Sequence, residues 1–411
     1  MDAEIIAVGS ELLTPEHIDT NSLYLTEKLN NLGIMVRFKT IVGDSTDDLG
    51  TVFRTALTRT PLIIVTGGLG PTDDDLTRDV VAAVLERPLH EVAEIRQRIE
   101  QRYARLGRPM PANNLRQAQV PEGAEWLGNP NGTAPGIWIE YQEHLVVLLP
   151  GPPRELEPLF DAACLPRLQR VASGARIKTR VYKVVGLPES EVDALIAPLY
   201  RPYTNPATTI LASLGTIEIH LRARAATDDL AEALLAELGD KIEMALGDHV
   251  YSSKGESLEE IVGMYLVLRQ KTLSVAESCT GGLLAERLTR TSGSSTYFVG
   301  GAVCYTNEMK TRWAGVPAAL IRTHGAVSNP VAQALAEGIR ARTGSSVGVG
   351  ITGVAGPTGG TPEKPVGLVF VALADERGTQ VRKFQFPGNR DRVRHWATQM
   401  ALEMVRRRMR D

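Results

Sequence analysis

The 411-residue chain is poor in cysteine, with only Cys164, Cys279 and Cys304. Three widely spaced thiols, odd in number, exclude a disulfide framework and a C-x-x-C zinc site, and suit a reducing compartment. Aromatic residues make up 5% of the chain and the net charge is −3. No global field therefore favours nucleic acid or a membrane surface, and no basic, aromatic-rich stripe offers a nucleic-acid track. No apolar run approaches the ~20 residues of a membrane span. The first residues enter Ile5-Ile6-Ala7-Val8-Gly9 without a basic region or a long apolar segment, so no secretory signal is expected. Internal repeats and low-complexity tracts are absent from the sequence. What remains is the composition of a cytoplasmic globular protein, 43% hydrophobic and 23% charged.

The length exceeds one ordinary core and predicts several domains. Residues 1–168 alternate strands and helices. Strands are read at Glu4–Gly9, Ile34–Val42, Leu62–Thr66 and His144–Leu149, with helices at Asn21–Leu32, Thr46–Thr58 and Asp75–Leu85. Thr46 is the expected N-cap of the second helix. This alternation implies a mostly parallel sheet covered on both faces. Residues 175–252 read as a small α+β module, with half-buried strands at Lys178–Val185 and Thr216–Arg224. Its helices are Glu189–Leu199 and Asp228–Leu246, and a loop spans Tyr200–Thr209. Residues 255–411 form a third unit. It opens with an amphipathic helix, Ser257–Gln270, and closes with a helix, Asp391–Arg408, whose basic end complements its dipole.

Within the third unit, a buried strand ending at Ala276 hands over to Glu277-Ser278-Cys279-Thr280-Gly281-Gly282 and then to a helix from Leu283. Unpaired backbone N–H groups and a positive dipole end favour anions and oxyanions at such a junction. Gly281 and Gly282 allow a ligand close to the backbone. A hydroxyl at Ser278 is either a helix cap or a nucleophile. Three further loops carry hydroxyls, glycine and one lysine: Ser292-Gly293-Ser294-Ser295, Tyr305-Thr306-Asn307-Glu308-Met309-Lys310, and Thr352-Gly353-Val354-Ala355-Gly356-Pro357-Thr358-Gly359-Gly360. The combination suits a Ser–Lys hydrolase, in which burial lowers the lysine pKa until it serves as base. No histidine lies in these loops, which argues against a Ser-His-Asp triad. On spacing alone Lys310 could be a surface lysine and Ser294-Ser295 plain turn residues, while Cys279 is an alternative nucleophile. Gly348-x-Gly350-x-x-Gly353 formally matches a dinucleotide fingerprint, but it runs into a long loop instead of opening a helix, so a hydride cofactor is rejected.

The segments AESCTGG, SGSS, YTNEMK, HGAVS, ITGVAGPTGG, KPVG and FPGNR, in this order over residues 257–408, resemble the C-terminal domain of the CinA family. That resemblance implies a nicotinamide mononucleotide deamidase, releasing ammonia without a metal. It implies Ser278 as nucleophile, Lys310 as general base, Ser295 and Tyr305 as supporting hydroxyls, and Thr352 with Gly353 on substrate or oxyanion. Gly281 and Gly282 would approach the substrate, and Arg390 would hold its phosphate. The division of roles between Ser278 and Ser295 stays open.

In the first domain, the loop Gly67-Gly68-Leu69-Gly70-Pro71-Thr72-Asp73-Asp74-Asp75 follows a strand. Gly67, Gly68 and Gly70 supply backbone donors suited to phosphates. Asp73, Asp74 and Asp75 beside them make sense where a divalent metal bridges to phosphate, although a capping acidic turn is the simpler alternative. VGSELLTPEHIDTNSLYL, TGGLGPTDDDLT and LPGPPREL resemble the molybdopterin-binding fold, and in CinA-like proteins imply a metal-dependent ADP-ribose pyrophosphatase. Glu11, Asp19 and Asn21 are the expected substrate contacts. Pro15 departs from the ELLxG pattern of these proteins.

The middle module resembles the KH-type insert of full-length CinA proteins. No G-x-x-G clamp links its elements, so RNA binding is not expected and a spacer or dimerisation role is. The resulting fold is α/β: a molybdopterin-binding-like three-layer domain, a small α+β KH-type domain and a C-terminal α/β deamidase domain. The expectation is a homodimeric, bifunctional hydrolase of NAD metabolism, acting on nicotinamide mononucleotide and ADP-ribose. The alternative is a pterin- or nucleotide-binding factor linked to competence or recombination.

Overall fold

A computed structural model of the chain describes residues 1–172, 174–213 and 215–410. The chain divides into two compact units, Met1–Lys178 with Ala223–Ala233, and Thr179–Arg222 with Leu234–Asp411.

The first unit follows the order β1 (Asp2–Val8), α1 (Asn21–Asn31), β2 (Met35–Val42), α2 (Thr46–Leu57), β3 (Leu62–Thr66), α3 (Thr77–Val84), β4 (Leu89–Glu91), α4 (Ala93–Arg105), β5 (Gln119–Pro121), β6 (Glu125–Leu127), β7 (Gly136–Tyr141), β8 (His144–Leu149), α5 (Pro153–Leu159) and α6 (Leu165–Val171). Its main sheet has the order β2-β1-β3-β8-β7-β6. The first four strands are parallel, and β7 and β6 extend the sheet antiparallel. Strand side chains alternate between faces, so adjacent residues of β1 enter different cores. Ile5 packs with Leu25 and Leu29 of α1 and Leu156 of α5. Ile6 packs with Leu49 and Phe53 of α2, Val81 of α3 and Ile95 of α4. This is a three-layer α/β sandwich.

Two local expectations change. Ser45, not Thr46, caps α2, because its side chain accepts from the Asp48 N–H at 3.3 Å. Helix α3 starts at Thr77, since Asp75 folds back onto Thr72 and cannot also begin a helix.

The small module comprises β9 (Arg176–Val184), α7 (Glu189–Tyr200), β10 (Ala207–Ser213), β11 (Thr216–Ala225), α8 (Asp228–Leu246) and β12 (Val250–Ser252), in a sheet of order β10-β11-β9-β12. Strand β10 takes up the end of the expected Tyr200–Thr209 loop, paired antiparallel with β11.

The C-terminal part runs α9 (Leu258–Leu268), β13 (Leu273–Glu277), α10 (Leu283–Arg290), β14 (Phe298–Val303), α11 (Asn307–Ala314), α12 (Ala318–His324), α13 (Asn329–Thr343), β15 (Val347–Gly353), β16 (Leu368–Asp375), β17 (Gly378–Gln385) and α14 (Arg390–Arg410). Its sheet has the order β14-β13-β15-β16-β17. The first three strands are parallel and the last two antiparallel. One face packs residues of α9, α10 and α14, the other α11, α12 and α13. Gly348 and Gly350 face α13. A Cβ on Gly348 would meet the Ala336 carbonyl, and one on Gly350 the backbone of Ala332 and Ala336. These glycines serve helix–strand approach, which accounts for the glycine spacing of the fingerprint.

Candidate functional site

Strands β13, β14 and β15 are parallel, so their C-terminal ends share one edge. In such sheets that edge is where ligands bind. Ser278 follows β13, and its N–H donates to the Ile351 carbonyl of β15 at 3.0 Å. Cys304 follows β14, and its N–H donates to the Glu277 carbonyl at 2.7 Å. The turn carrying Ser278 is thus pinned between both neighbouring strands. Lys310 lies on α11, whose N-cap Thr306 accepts from the Met309 N–H.

Lys310 Nζ stands 2.9 Å from Ser278 Oγ. It also donates to the carbonyls of Cys304 at 2.9 Å and Tyr305 at 3.0 Å. Lys310 is 2% exposed and Ser278 8%. Burial lowers the Lys310 pKa below its ordinary value. A neutral amine has two N–H donors and one lone pair. The two carbonyls take the donors, which leaves the lone pair for the Ser278 hydroxyl proton.

Ser278 does not cap α10 with its side chain. The neighbouring Glu277 does: its buried carboxylate accepts from the N–H groups of Gly282 at 3.1 Å, Leu284 at 3.0 Å and Ala285 at 2.8 Å. This corrects the expectation of an open anion site at that helix start, because the donors there are already filled by a carboxylate. Cys279 is also set aside, since burial pushes its thiol up to about 12, far from a thiolate at neutral pH.

Arg390, at the start of α14, donates to the Gly356 carbonyl at 2.8 Å and to Tyr305 Oη at 3.0 Å. Arg394, one turn on, donates to the Thr280 carbonyl at 2.9 Å. The Ser278 turn, the Tyr305 loop, the Gly356 loop and α14 therefore meet. Thr352 and Gly353 end β15 at the same edge. The Thr352 hydroxyl is committed to the Ala326 carbonyl at 2.8 Å, so it ties the His324–Ser328 segment down and is not a free catalytic proton.

Ser295 does not join this group within the chain. It precedes β14, and Leu273 at the start of β13 pairs with Phe298 at the start of β14. The length of β13 therefore separates the two serines, about 17 Å at ~3.3 Å per residue. Ser295 is exposed.

A second site lies in the first unit, in a cavity of about 640 Å³ at the C-terminal ends of β1 and β3. Among the described residues six carboxylates line it, those of Glu11, Asp19, Asp44, Asp74, Asp75 and Glu155, with no lysine or arginine. Gly68 and Gly70 line it, and among the described residues their N–H groups donate to no protein acceptor. Gly67 lines it too but supplies no donor, because its N–H pairs with the Leu149 carbonyl at 3.0 Å. Its φ of 92° and the nearby Val8 carbonyl, which a Cβ would strike, explain why glycine stands there. Asn21 donates to the Gly151 carbonyl at 2.7 Å, while its Oδ1 is buried without a partner. Asp19 accepts from the Ser22 N–H at 2.9 Å, capping α1. Asp75 accepts from the Thr72 N–H at 2.8 Å and hydroxyl at 2.5 Å. Asp73 turns to solvent and pairs with Arg116 at 3.5 Å, so the three aspartates do not act as one cluster. Among the described residues no three His, Cys, Asp or Glu side chains converge as a cation cage.

The fold and the two sites define a multidomain α/β protein with a molybdopterin-binding-like domain and a separate serine–lysine centre. Three families match successive parts of the chain: the probable molybdopterin binding domain over residues 4–170, the damage-inducible protein CinA KH domain over 179–252, and the CinA C-terminal domain over 255–409. The chain belongs to the CinA family. It is 52% identical over 413 residues to a CinA-like protein of Koribacter versatilis, covering 100% of both chains. It is 51% identical to a CinA-like protein of Solibacter usitatus, covering 100% of this chain and 98% of the relative. A solved competence/damage inducible protein from Agrobacterium tumefaciens is 35% identical, covers 39% of this chain and 99% of its own, and has a TM-score of 0.37. No helix among the described residues is long and apolar enough to cross a membrane.

Glu277 and Arg394 escaped the sequence reading. The signal for Glu277 was available, as an acidic residue just before a helix start. Arg394 carried none, because its partner is a backbone carbonyl 114 residues away.

Proposed function

We propose that the C-terminal domain hydrolyses the amide of nicotinamide mononucleotide to nicotinate mononucleotide and ammonia. The observation that carries this reading is the buried Lys310 amine, 2.9 Å from Ser278 Oγ, with two backbone carbonyls as its other partners. Lys310 removes the Ser278 proton as Oγ attacks the amide carbon. Among the described residues the Cys279 and Thr280 N–H groups donate to no backbone acceptor, and they are the donors assigned to the developing oxyanion. The tetrahedral intermediate collapses with loss of ammonia, which takes its proton from Lys310. Water, deprotonated by the same amine, then cleaves the acyl-serine and restores the hydroxyl. Arg390, with Tyr305 beside it, binds the phosphate of the substrate.

The cavity of the first unit favours a second activity, cleavage of ADP-ribose to AMP and ribose 5-phosphate. Unpaired N–H groups of Gly68 and Gly70 receive the diphosphate, and the partnerless Asn21 Oδ1 calls for a ligand group. A lining of carboxylates without cations repels a diphosphate unless a divalent metal intervenes, so the residues present fit such an ion. No three of these side chains converge on one point among the described residues, so Asp74 and Asp75 would hold the ion by one or two carboxylates and substrate oxygens would complete it, as is common for magnesium; such an ion offsets phosphate charge. Together the domains would act on two products of NAD breakdown.

Product analysis with each substrate, with and without chelator, tests both readings. Ammonia release insensitive to chelator and AMP release abolished by it are expected. No ammonia from nicotinamide mononucleotide defeats the first reading, and no metal-dependent AMP defeats the second.

A further inference from the structure

Beside the carboxylate cavity of the first unit lies a second cleft of about 330 Å³. Its wall is helix α4, which presents Arg98, Arg102 and Arg105. Spacings of four and three residues put these side chains on one helix face. Trp126 and the loop carrying Asn129 and Gly132 close the other side, and among the described residues no Asp or Glu lines the cleft. Thr133 lines both cavities, so the two are neighbours. Their polarity is opposite: carboxylates without cations in one, guanidinium groups without carboxylates in the other.

Away from the cleft, arginine on the same helix is neutralised. Arg96 pairs with Glu91 at 3.1 Å and Glu100 at 2.9 Å. Inside the cleft, Arg98 lies over the Trp126 ring at 5.1 Å and Arg102 donates to the Asn131 carbonyl at 2.8 Å. Among the described residues neither Arg98 nor Arg105 has a carboxylate partner. Like charges at these spacings repel and destabilise the helix. The repulsion is relieved by an anion between them.

We propose that this cleft is a phosphate-binding subsite, taking a phosphomonoester or diphosphate group of a nucleotide. The planar guanidinium fork matches phosphate oxygens in pairs. Arg102 is already oriented by the loop carbonyl, and Arg98 by the indole, so little ordering remains when the anion arrives. The volume admits a phosphate with an attached sugar, not a whole dinucleotide, which assigns the cleft to one end of an extended ligand or to a separate small phosphate.

The test is calorimetric titration of the full chain with inorganic pyrophosphate in the presence of chelator. An Arg390→Ala background removes the phosphate ligand assigned to the C-terminal domain. Metal-free, the neighbouring carboxylate cavity repels the anion, so binding reads the arginine cleft. Neither metal nor turnover is involved, so this arm is independent of the diphosphatase reading. Binding that weakens with salt, and that falls at least about tenfold in R98A/R105A but less in R98K/R105K, is expected. Both arginines are exposed, so thermal melting should match the parent chain and certify the fold. Equal isotherms for the parent and R98A/R105A overturn the proposal. A second arm compares hydrolysis, with metal, of ADP-ribose and of ADP-ribose bearing an extra ribose phosphate. A higher kcat/KM for the latter, lost in R98A/R105A, assigns the phosphate to the same substrate; equal values beside intact pyrophosphate binding assign it to a separate phosphate ligand.

Discussion

Lys310 Nζ lies 2.9 Å from Ser278 Oγ, and its two remaining partners are the backbone carbonyls of Cys304 and Tyr305. Among the described residues no side-chain carboxylate is hydrogen-bonded to the amine, so no partner of that kind holds its proton. Burial instead lowers its pKa. The geometry suits a lysine that cycles between neutral and charged forms.

The pH dependence follows in sign. Only the neutral amine accepts the Ser278 proton, so deamidase kcat/KM should climb as pH rises through the lowered Lys310 pKa and then level off. The inflection should fall below the ~10.4 of a free lysine. Lys310→Arg, which stays protonated, should be inactive across the range. A rate that falls with rising pH between 6 and 9, or an active Lys310→Arg enzyme, contradicts the general-base role.

Ser278→Ala and Lys310→Ala should each lower deamidase kcat by at least about a thousandfold, and the double variant should be no worse than the poorer single one. Cys279→Ser should retain activity, because the thiol there is held protonated. Steady-state kinetics on the four variants check both points. Additive losses would mean that the pair does not act as a unit.

Glu277 is a stability residue beside the chemistry. Glu277→Ala leaves three N–H groups of the α10 start without their carboxylate. The expected cost is about 2–3 kcal/mol, read as a lowered denaturant midpoint. Glu277→Gln keeps acceptor oxygen and should lose less.

How far the sequence reached is clearest at particular residues. Ser278, Lys310, Tyr305 and Arg390 stand in recognisable motifs, and the Ser278 turn falls at the end of a buried apolar strand that the sequence marks. The strand–helix alternation of residues 1–168 likewise carries the layered fold. Ser295 lies apart from Ser278 within the chain, and a motif alone does not say which end of a strand it flanks; register between β13 and β14 decides that. Glu277 was overlooked because its three partners lie five to eight residues on, across a turn whose shape depends on β15. In the sequence Gly67 reads as a phosphate donor, because its role in the sheet ladder is invisible without Leu149 beside it. The antiparallel pair β16 and β17 gives no local sign of its direction.

Arg390→Ala should raise KM for nicotinamide mononucleotide by about ten- to a hundredfold, the loss of one charge-assisted contact, with a smaller change in kcat. A kcat collapse at unchanged KM would place Arg390 in the chemical step instead.

In the first unit, Asp74→Asn and Asp75→Ala should remove metal-dependent AMP formation from ADP-ribose, whereas Asp73→Ala should leave it nearly intact, because Asp73 faces solvent and Arg116. Equal loss in all three variants would mean that the loop matters only as a folded acidic turn.

The most direct measurement is ammonia release from nicotinamide mononucleotide by the unaltered chain and by Ser278→Ala, with AMP formation from ADP-ribose followed in the same preparations. Ammonia release by the unaltered chain, abolished in the variant while AMP formation persists, is predicted. Undiminished ammonia release from Ser278→Ala would contradict the assignment of Ser278 as nucleophile.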